Sequence, residues 1–181
     1  MARKLLTAAT LVLFALPMTI QAQLHLGIAG GLSAPVGDFG DIADAGYHLT
    51  GMLAVSVPAA PIGLRLEGSF NEFKYKSGLL STNAKARLWS ATANGVLSSP
   101  GIIGPYLIGG LGIYNASCSE CSSSSSTKAG FNGGVGLKLG LTGFSAFVEA
   151  RYHYIPGGSD ATTGGTKSST QFIPVSVGVT F

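Results

Sequence analysis

Beyond its N-terminal segment, the chain alternates apolar residues with small or polar ones, stretch after stretch, at a period of two. That period puts successive side chains on opposite faces of a strand and is incompatible with an amphipathic helix. In the first stretch Leu24, Leu26, Ile28 and Leu32 oppose His25, Gly27, Ala29, Gly31 and Ser33. In the second, Tyr47, Leu49, Leu53 and Val55 oppose His48, Thr50, Ala54 and Ser56. The third sets Ile62, Leu64, Leu66 and Phe70 against Arg65, Glu67, Ser69 and Asn71. A fourth covers about Lys85 to Leu97, and a fifth, Pro105 to Asn115, is so rich in glycine that its facing is ambiguous. A sixth runs from about Phe131 to Leu141, with Lys138 on its polar face. A seventh sets Phe144, Ala146, Val148, Ala150, Tyr152 and Tyr154 against Ser145, Glu149, Arg151 and His153. The last places Ile173, Val175, Val177, Val179 and Phe181 on one face.

The connections alternate too. Those near Pro58, Ser98 and Thr142 are short, while Pro35–Gly46, Lys74–Ala84, Asn115–Ala129 and Pro156–Ser169 are long and polar. Short turns on one rim and long loops on the other describe an up-and-down antiparallel barrel of eight strands crossing a membrane. A soluble barrel would turn its polar face outward to water. Here that face is mostly Gly, Ser, Ala, Thr and Asn, and only 10% of all residues are charged, against roughly 25% in an ordinary soluble domain. Such a face makes a poor solvated surface and a good filling for a narrow lumen. The aliphatic face therefore points to lipid. The chain also lacks the basic stripe that nucleic acid demands.

The N-terminus reads in three parts: the basic Arg3-Lys4, an apolar run from Leu5 to Ile20, and a small residue, Ala22, ahead of Gln23. This is the layout of a secretory leader cleaved after Ala22. The expected organisation is a signal peptide over 1–22 and an outer-membrane β-barrel over 23–181.

Gly31-Leu32-Ser33-Ala34-Pro35-Val36-Gly37-Asp38-Phe39, Pro105-Tyr106-Leu107-Ile108-Gly109-Gly110 and Phe147-Val148-Glu149-Ala150-Arg151-Tyr152-His153 resemble the outer-membrane β-barrel domain family, small eight-stranded barrels related to OmpX and the OmpA transmembrane domain. The row Ile173, Val175, Val177, Val179 and Phe181 resembles the aromatic-ended signal read by the barrel-assembly machinery. The resemblance implies an all-β fold in a Gram-negative outer membrane, with that machinery and outer-membrane lipids as partners, and says little of activity.

Five charges fall on the inferred lumen face: Arg65, Glu67, Lys138, Glu149 and Arg151. The third and seventh strands lie opposite each other in an eight-stranded ring, so all five are expected at one level, as a salt-bridge plug of two acids and three bases. A gated ion path is the alternative. Cys118 and Cys121 sit in a long loop, and in an oxidising compartment a local disulfide is the expected state. Asp38, Asp41 and Asp44 recur every third residue, which is not the spacing of a calcium loop, and read as solvated turn residues. His153, Asp160 and a serine could be imagined as a hydrolase triad, but no nucleophile-elbow motif supports it. No metal, cofactor or catalytic residue is expected. The expected function is a non-enzymatic outer-membrane barrel with a structural or surface-interaction role; a membrane-embedded lipid-modifying enzyme and a small pore are the alternatives.

Overall fold

The computed structural model describes residues 23–56, 60–76, 85–118, 125–157 and 169–181. The proposed leader, Cys121 and Asp160 lie outside these residues. Eight antiparallel strands close into a barrel: β1 (Gln23–Val36), β2 (Gly46–Ser56), β3 (Ile62–Lys74), β4 (Lys85–Ser98), β5 (Ile103–Cys118), β6 (Ser126–Leu141), β7 (Phe144–Ile155) and β8 (Thr170–Thr180). Each pairs with its sequence neighbours, and β1 also pairs with β8, from Gly27 opposite Thr180 to Val36 opposite Gln171. Closure leaves no unpaired strand edge, the condition for a sheet to cross hydrocarbon. The terminal Phe181 extends the seam through backbone hydrogen bonds of 2.7 and 3.1 Å with Leu26. No helix among the described residues is long and apolar enough to span a membrane.

The alternation resolves as expected. Leu24, Leu26, Ile28 and Leu32 project from the outer wall, as do Leu49, Leu64, Leu66, Val135, Leu137, Val148 and Val177. Their partners turn inward: Ser33, His48, Thr50, Arg65, Glu67, Asn71, Thr92, Asn94, Asn132, Glu149, Arg151, His153 and Ser176 are all buried. An apolar outside around a polar inside is the inverse of a soluble barrel, and it makes the outer wall a lipid-facing surface. Aromatic rings gather at both rims of that wall. Tyr47, Phe70 and Trp89 form a chain with centroids 6.5 and 4.7 Å apart at the long-loop rim, where Phe131 also stacks on Tyr154 at 5.0 Å. Phe144 meets Phe181 at 6.3 Å near the short turns.

Two features depart from the sequence reading, and a third settles what it left ambiguous. Six of the strands are longer than the roughly 9–11 residues a tilted span needs: β5 and β6 run 16 residues each, into segments expected to be loop, while β2 and β8 have 11. The Pro35–Gly46 connection holds a short helix, α1 (Gly37–Ile42). Its Phe39 packs edge-on against Phe73 at 5.0 Å, so the segment folds back over the barrel mouth to cover its apolar side chain. Finally, β5 turns Tyr106, Ile108 and Tyr114 inward and Leu107, Leu111 and Ile113 outward. The inward rings need room on neighbouring strands. A Cβ on Gly136 would lie 2.2 Å from the Tyr106 ring, so the glycine is the space the tyrosine occupies.

Glycines on the two faces therefore differ in kind. A Cβ on the inward Gly110 would meet the backbone oxygen of Ala93 at 2.1 Å, whereas one on the outward Gly68 meets nothing within 4 Å. Backbone cannot yield as a side chain end can. Gly110→Ala is expected to destabilise the barrel by about 1–3 kcal/mol through overpacking, and Gly68→Ala to stay within about 0.5 kcal/mol of wild type. Urea unfolding in lipid vesicles, followed by Trp89 fluorescence, measures both.

Candidate functional site: the filled lumen

The lumen is built in layers. On the long-loop side, Ala43, Phe73, Leu88, Tyr114, Ile155 and Phe172 form an apolar cluster with Phe39 and Ala86 against it. On the short-turn side, Ala29, Met52, Tyr106, Ile108 and Phe147 form a second, with Val96 alongside. The sequence reading missed both layers. Apart from Ala43, which follows α1, their members stand at the inward parity of strands whose other inward residues are polar, and parity itself was the available signal.

Between the two clusters lie the charges. The Arg65 guanidinium pairs with Glu149 across the barrel and has Nε 2.8 Å from Glu67 Oε1. Arg151 reaches Glu67 through Nη2 at 2.9 Å and Glu149 through Nε at 2.8 Å. Each arginine thus touches both glutamates, and each glutamate both arginines. Neutral donors complete the shell: Tyr106 donates to Glu149 at 2.8 Å, and Thr92 and Asn94 donate to Glu67 at 3.1 and 2.9 Å. Asn132 donates to Asn94 at 2.9 Å and ties the next strand into the network. Charges taken out of water persist only when paired and hydrogen-bonded on their remaining positions, and the carboxylates here meet both conditions.

Lys138 does not join them. It lies on the inward face of β6, partly buried, nearer the short turns. With Arg65, His25, Val96, Tyr106 and Phe147 it lines a cavity of about 320 Å³ at that mouth. The expected five-membered cluster of two acids and three bases is therefore corrected to four members, two of each sign. Lys138 instead faces the cavity at the short-turn mouth, which Arg65, Tyr106 and Phe147 line with it.

Above the ionic layer runs a neutral polar one. His48 sits between Ser33 Oγ at 3.1 Å from Nδ1 and Ser176 Oγ at 2.9 Å from Nε2, and Ser33 donates to Asn71 at 2.9 Å. His153 Nδ1 lies 2.9 Å from the Tyr114 hydroxyl, and its ring stacks on Phe172 at 4.7 Å. Ser–His contact is half of a nucleophilic site, but these hydroxyls are sealed in the wall: Ser33 is 0% and Ser176 6% exposed. Among the described residues both hydroxyls are closed off from solvent. The cavity beside His48, Asn71, Arg151, His153, Phe172 and Ser176 measures about 10 Å³, at the lower limit for one water.

The remaining sequence candidates lie elsewhere. Asp38 falls in the first turn of α1 and accepts from the Ser169 amide at 3.3 Å, while Asp41 is exposed. Among the described residues no group of three or more His, Cys, Asp or Glu is placed to hold a metal. Cys118 ends β5, and its proposed partner Cys121 lies outside the described residues. In the row ending at Phe181, Val175, Val177 and Phe181 face outward.

The sequence matches the family model described as outer membrane protein beta-barrel domain over residues 5–181. No curated protein matches it. Among solved structures, Neisserial surface protein A superposes with a TM-score of 0.63 at 16% identity, over 88% of this chain and 97% of that one. The N-terminal β-barrel domain of Pseudomonas aeruginosa OprF gives 0.51 at 17% identity, over 89% and 100%. Ail, the attachment invasion locus protein of Yersinia pestis, solved with the heparin analogue sucrose octasulfate, gives 0.50 at 16%, over 88% and 97%. At these identities the likeness is one of fold.

The ionic layer has a clear energetic signature. Glu149→Ala removes the partner of two buried arginines and is expected to cost about 3–5 kcal/mol. Asp41→Ala, on an exposed helix, is expected to change stability by less than about 0.5 kcal/mol. Urea unfolding of the two variants from lipid vesicles gives the comparison; equal stabilities would show that Glu149 is solvated.

Proposed function

Because the chain belongs to the outer membrane protein β-barrel domain family, we propose that it is a non-conducting, non-enzymatic barrel whose long connections are held at the cell surface for interaction. The observation that carries this reading is the filled lumen. Two apolar layers bracket a charge-balanced ionic layer, and the cavity among the polar groups has room for about one water. A conducting path needs a continuous column of water, and catalysis needs a nucleophile that a substrate can reach. Among the described residues along this axis neither arrangement is present, which supports the reading.

What remains is the long-loop rim on a rigid support. Binding residues are disproportionately carried by loops that a stiff scaffold positions. Among the similar barrels, one is by name a surface protein and another an attachment invasion locus protein, which agrees with a surface role. Export by a leader cleaved after Ala22, recognition of the Ile173-to-Phe181 row by the assembly machinery, and a Cys118–Cys121 disulfide in the loop after β5 belong to the same reading.

Planar-bilayer recording tests it. The folded protein is expected to leave the bilayer at baseline conductance at membrane potentials of either sign. Stable unitary steps from the folded protein would establish a path through the lumen and replace this reading by that of a small pore.

A further inference from the structure

At the short-turn mouth of the lumen six strands turn polar side chains inward: His25 from β1, Ser56 from β2, Ser98 from β4, Lys138 from β6, Ser145 from β7 and Thr180 from β8. All six are partly buried and line the cavity of about 320 Å³. Arg65 and Tyr106, both bonded into the ionic layer, line it as well. The lining holds no carboxylate. Arg65 and Arg151 are already balanced by Glu67 and Glu149, so Lys138 adds a positive charge that nothing in the lining offsets. Among the described residues Lys138 makes no salt bridge, and the hydroxyls of Ser56, Ser98, Ser145 and Thr180 make no side-chain hydrogen bond.

The contrast with the layer around His48 is informative. There the hydroxyls of Ser33 and Ser176 are taken up by the imidazole and by Asn71. At the mouth four hydroxyls and one ammonium remain as donors around a single space. Hydroxyls can each donate to an oxyanion, and an ammonium supplies charge with up to three further donors. An ammonium partly withdrawn from water attracts an anion more strongly than one on an open surface. The volume is at the lower end of the roughly 300–1,000 Å³ typical of small-ligand sites, so the fitting occupant is compact. Its source follows from position. The cavity lies inside the ring of strands, whereas lipid headgroups surround the ring from outside, where Phe144 and Phe181 meet at 6.3 Å.

We infer that this mouth binds a soluble phosphate-bearing anion from the compartment on the short-turn side, with Lys138 as its charge contact and Ser56, Ser98, Ser145 and Thr180 as hydroxyl donors. The balanced ionic layer closes the inner end, so the anion binds without passing through. The site lies at the rim opposite the long loops and stands whether or not those loops bind a partner.

A chemical-shift titration of ¹⁵N-labelled protein, folded in an uncharged maltoside detergent, tests it with inorganic phosphate as the probe and chloride at equal ionic strength as the reference. Phosphate is expected to shift the amide signals of Ser56, Ser98 and Lys138 saturably, and chloride to leave them in place. Lys138→Met, which keeps the apolar stem and removes the charge, is expected to weaken phosphate binding about tenfold, the worth of one charge-assisted hydrogen bond. Lys138→Arg is expected to keep it. Lys128→Met is expected to bind as wild type does, because Lys128 stands at the other end of β6, opposite Tyr114. Gel mobility before and after heating restricts the comparison to folded protein. Shifts that rise linearly with phosphate, or that chloride reproduces, overturn the proposal from wild type alone. Equal affinity of wild type and Lys138→Met overturns it too. If phosphatidic acid mixed into the micelle moves these amides and free phosphate does not, the anion is a lipid headgroup and the assignment to a soluble one fails.

Discussion

Everything inside this barrel is organised around the cost of keeping charge away from water. A narrow lumen cannot solvate a carboxylate or a guanidinium, and an unpaired one would shift the protein toward unfolding or flooding. Two glutamates and two arginines placed on β3 and β7 satisfy each other across the ring, and Tyr106, Thr92 and Asn94 take up carboxylate positions that the arginines leave. The register follows from this. Slipping β3 by one residue relative to its neighbours would turn Arg65 and Glu67 toward lipid and the aliphatic face into the lumen. The ionic layer therefore specifies which residues pair as much as it holds the strands together.

The apolar layers above and below are the complement of that choice. Phe73, Phe172 and Tyr114 on one side and Phe147, Met52 and Tyr106 on the other keep water from the ion pairs and strengthen them by lowering the local dielectric. They also account for the inward glycines. Gly136 makes way for Tyr106 and Gly178 for Phe147, whose ring would lie 2.4 Å from an added Cβ. A chain rich in glycine is usually weakened as a sheet; here glycine is the space into which lumen aromatics from adjacent strands fit.

The outer wall was legible because alternation is a strong signal when it recurs in seven of the eight strands between turn residues. Opposition of β3 and β7, and with it the pairing of Arg65 and Glu67 with Glu149 and Arg151, was legible from strand counting alone. Lys138 was misplaced because counting gives a face and an approximate level, but not which inward charges come within reach of one another. Phe39, Phe73 and Phe172 were missed for a related reason: an aromatic on an otherwise polar face reads as noise until the opposite side of the ring supplies its partners. The ion pairs of Glu72 with Lys85 and Arg87, at 2.7 and 3.0 Å, escaped notice because they join the end of β3 to the start of β4 across a connection whose length hides the register.

The central claim is that the four lumen charges act as one coupled unit. A double-mutant cycle on Glu67→Ala and Arg151→Ala, read by urea unfolding in lipid vesicles, tests it most directly. Removing either residue alone strands an opposite charge, whereas removing both leaves Arg65 and Glu149 as a balanced pair. The double variant is expected to be more stable than the sum of the single losses implies, by more than about 1 kcal/mol. Single losses that add within about 0.5 kcal/mol would mean the charges are independently solvated, and would contradict the account of a closed, dry lumen.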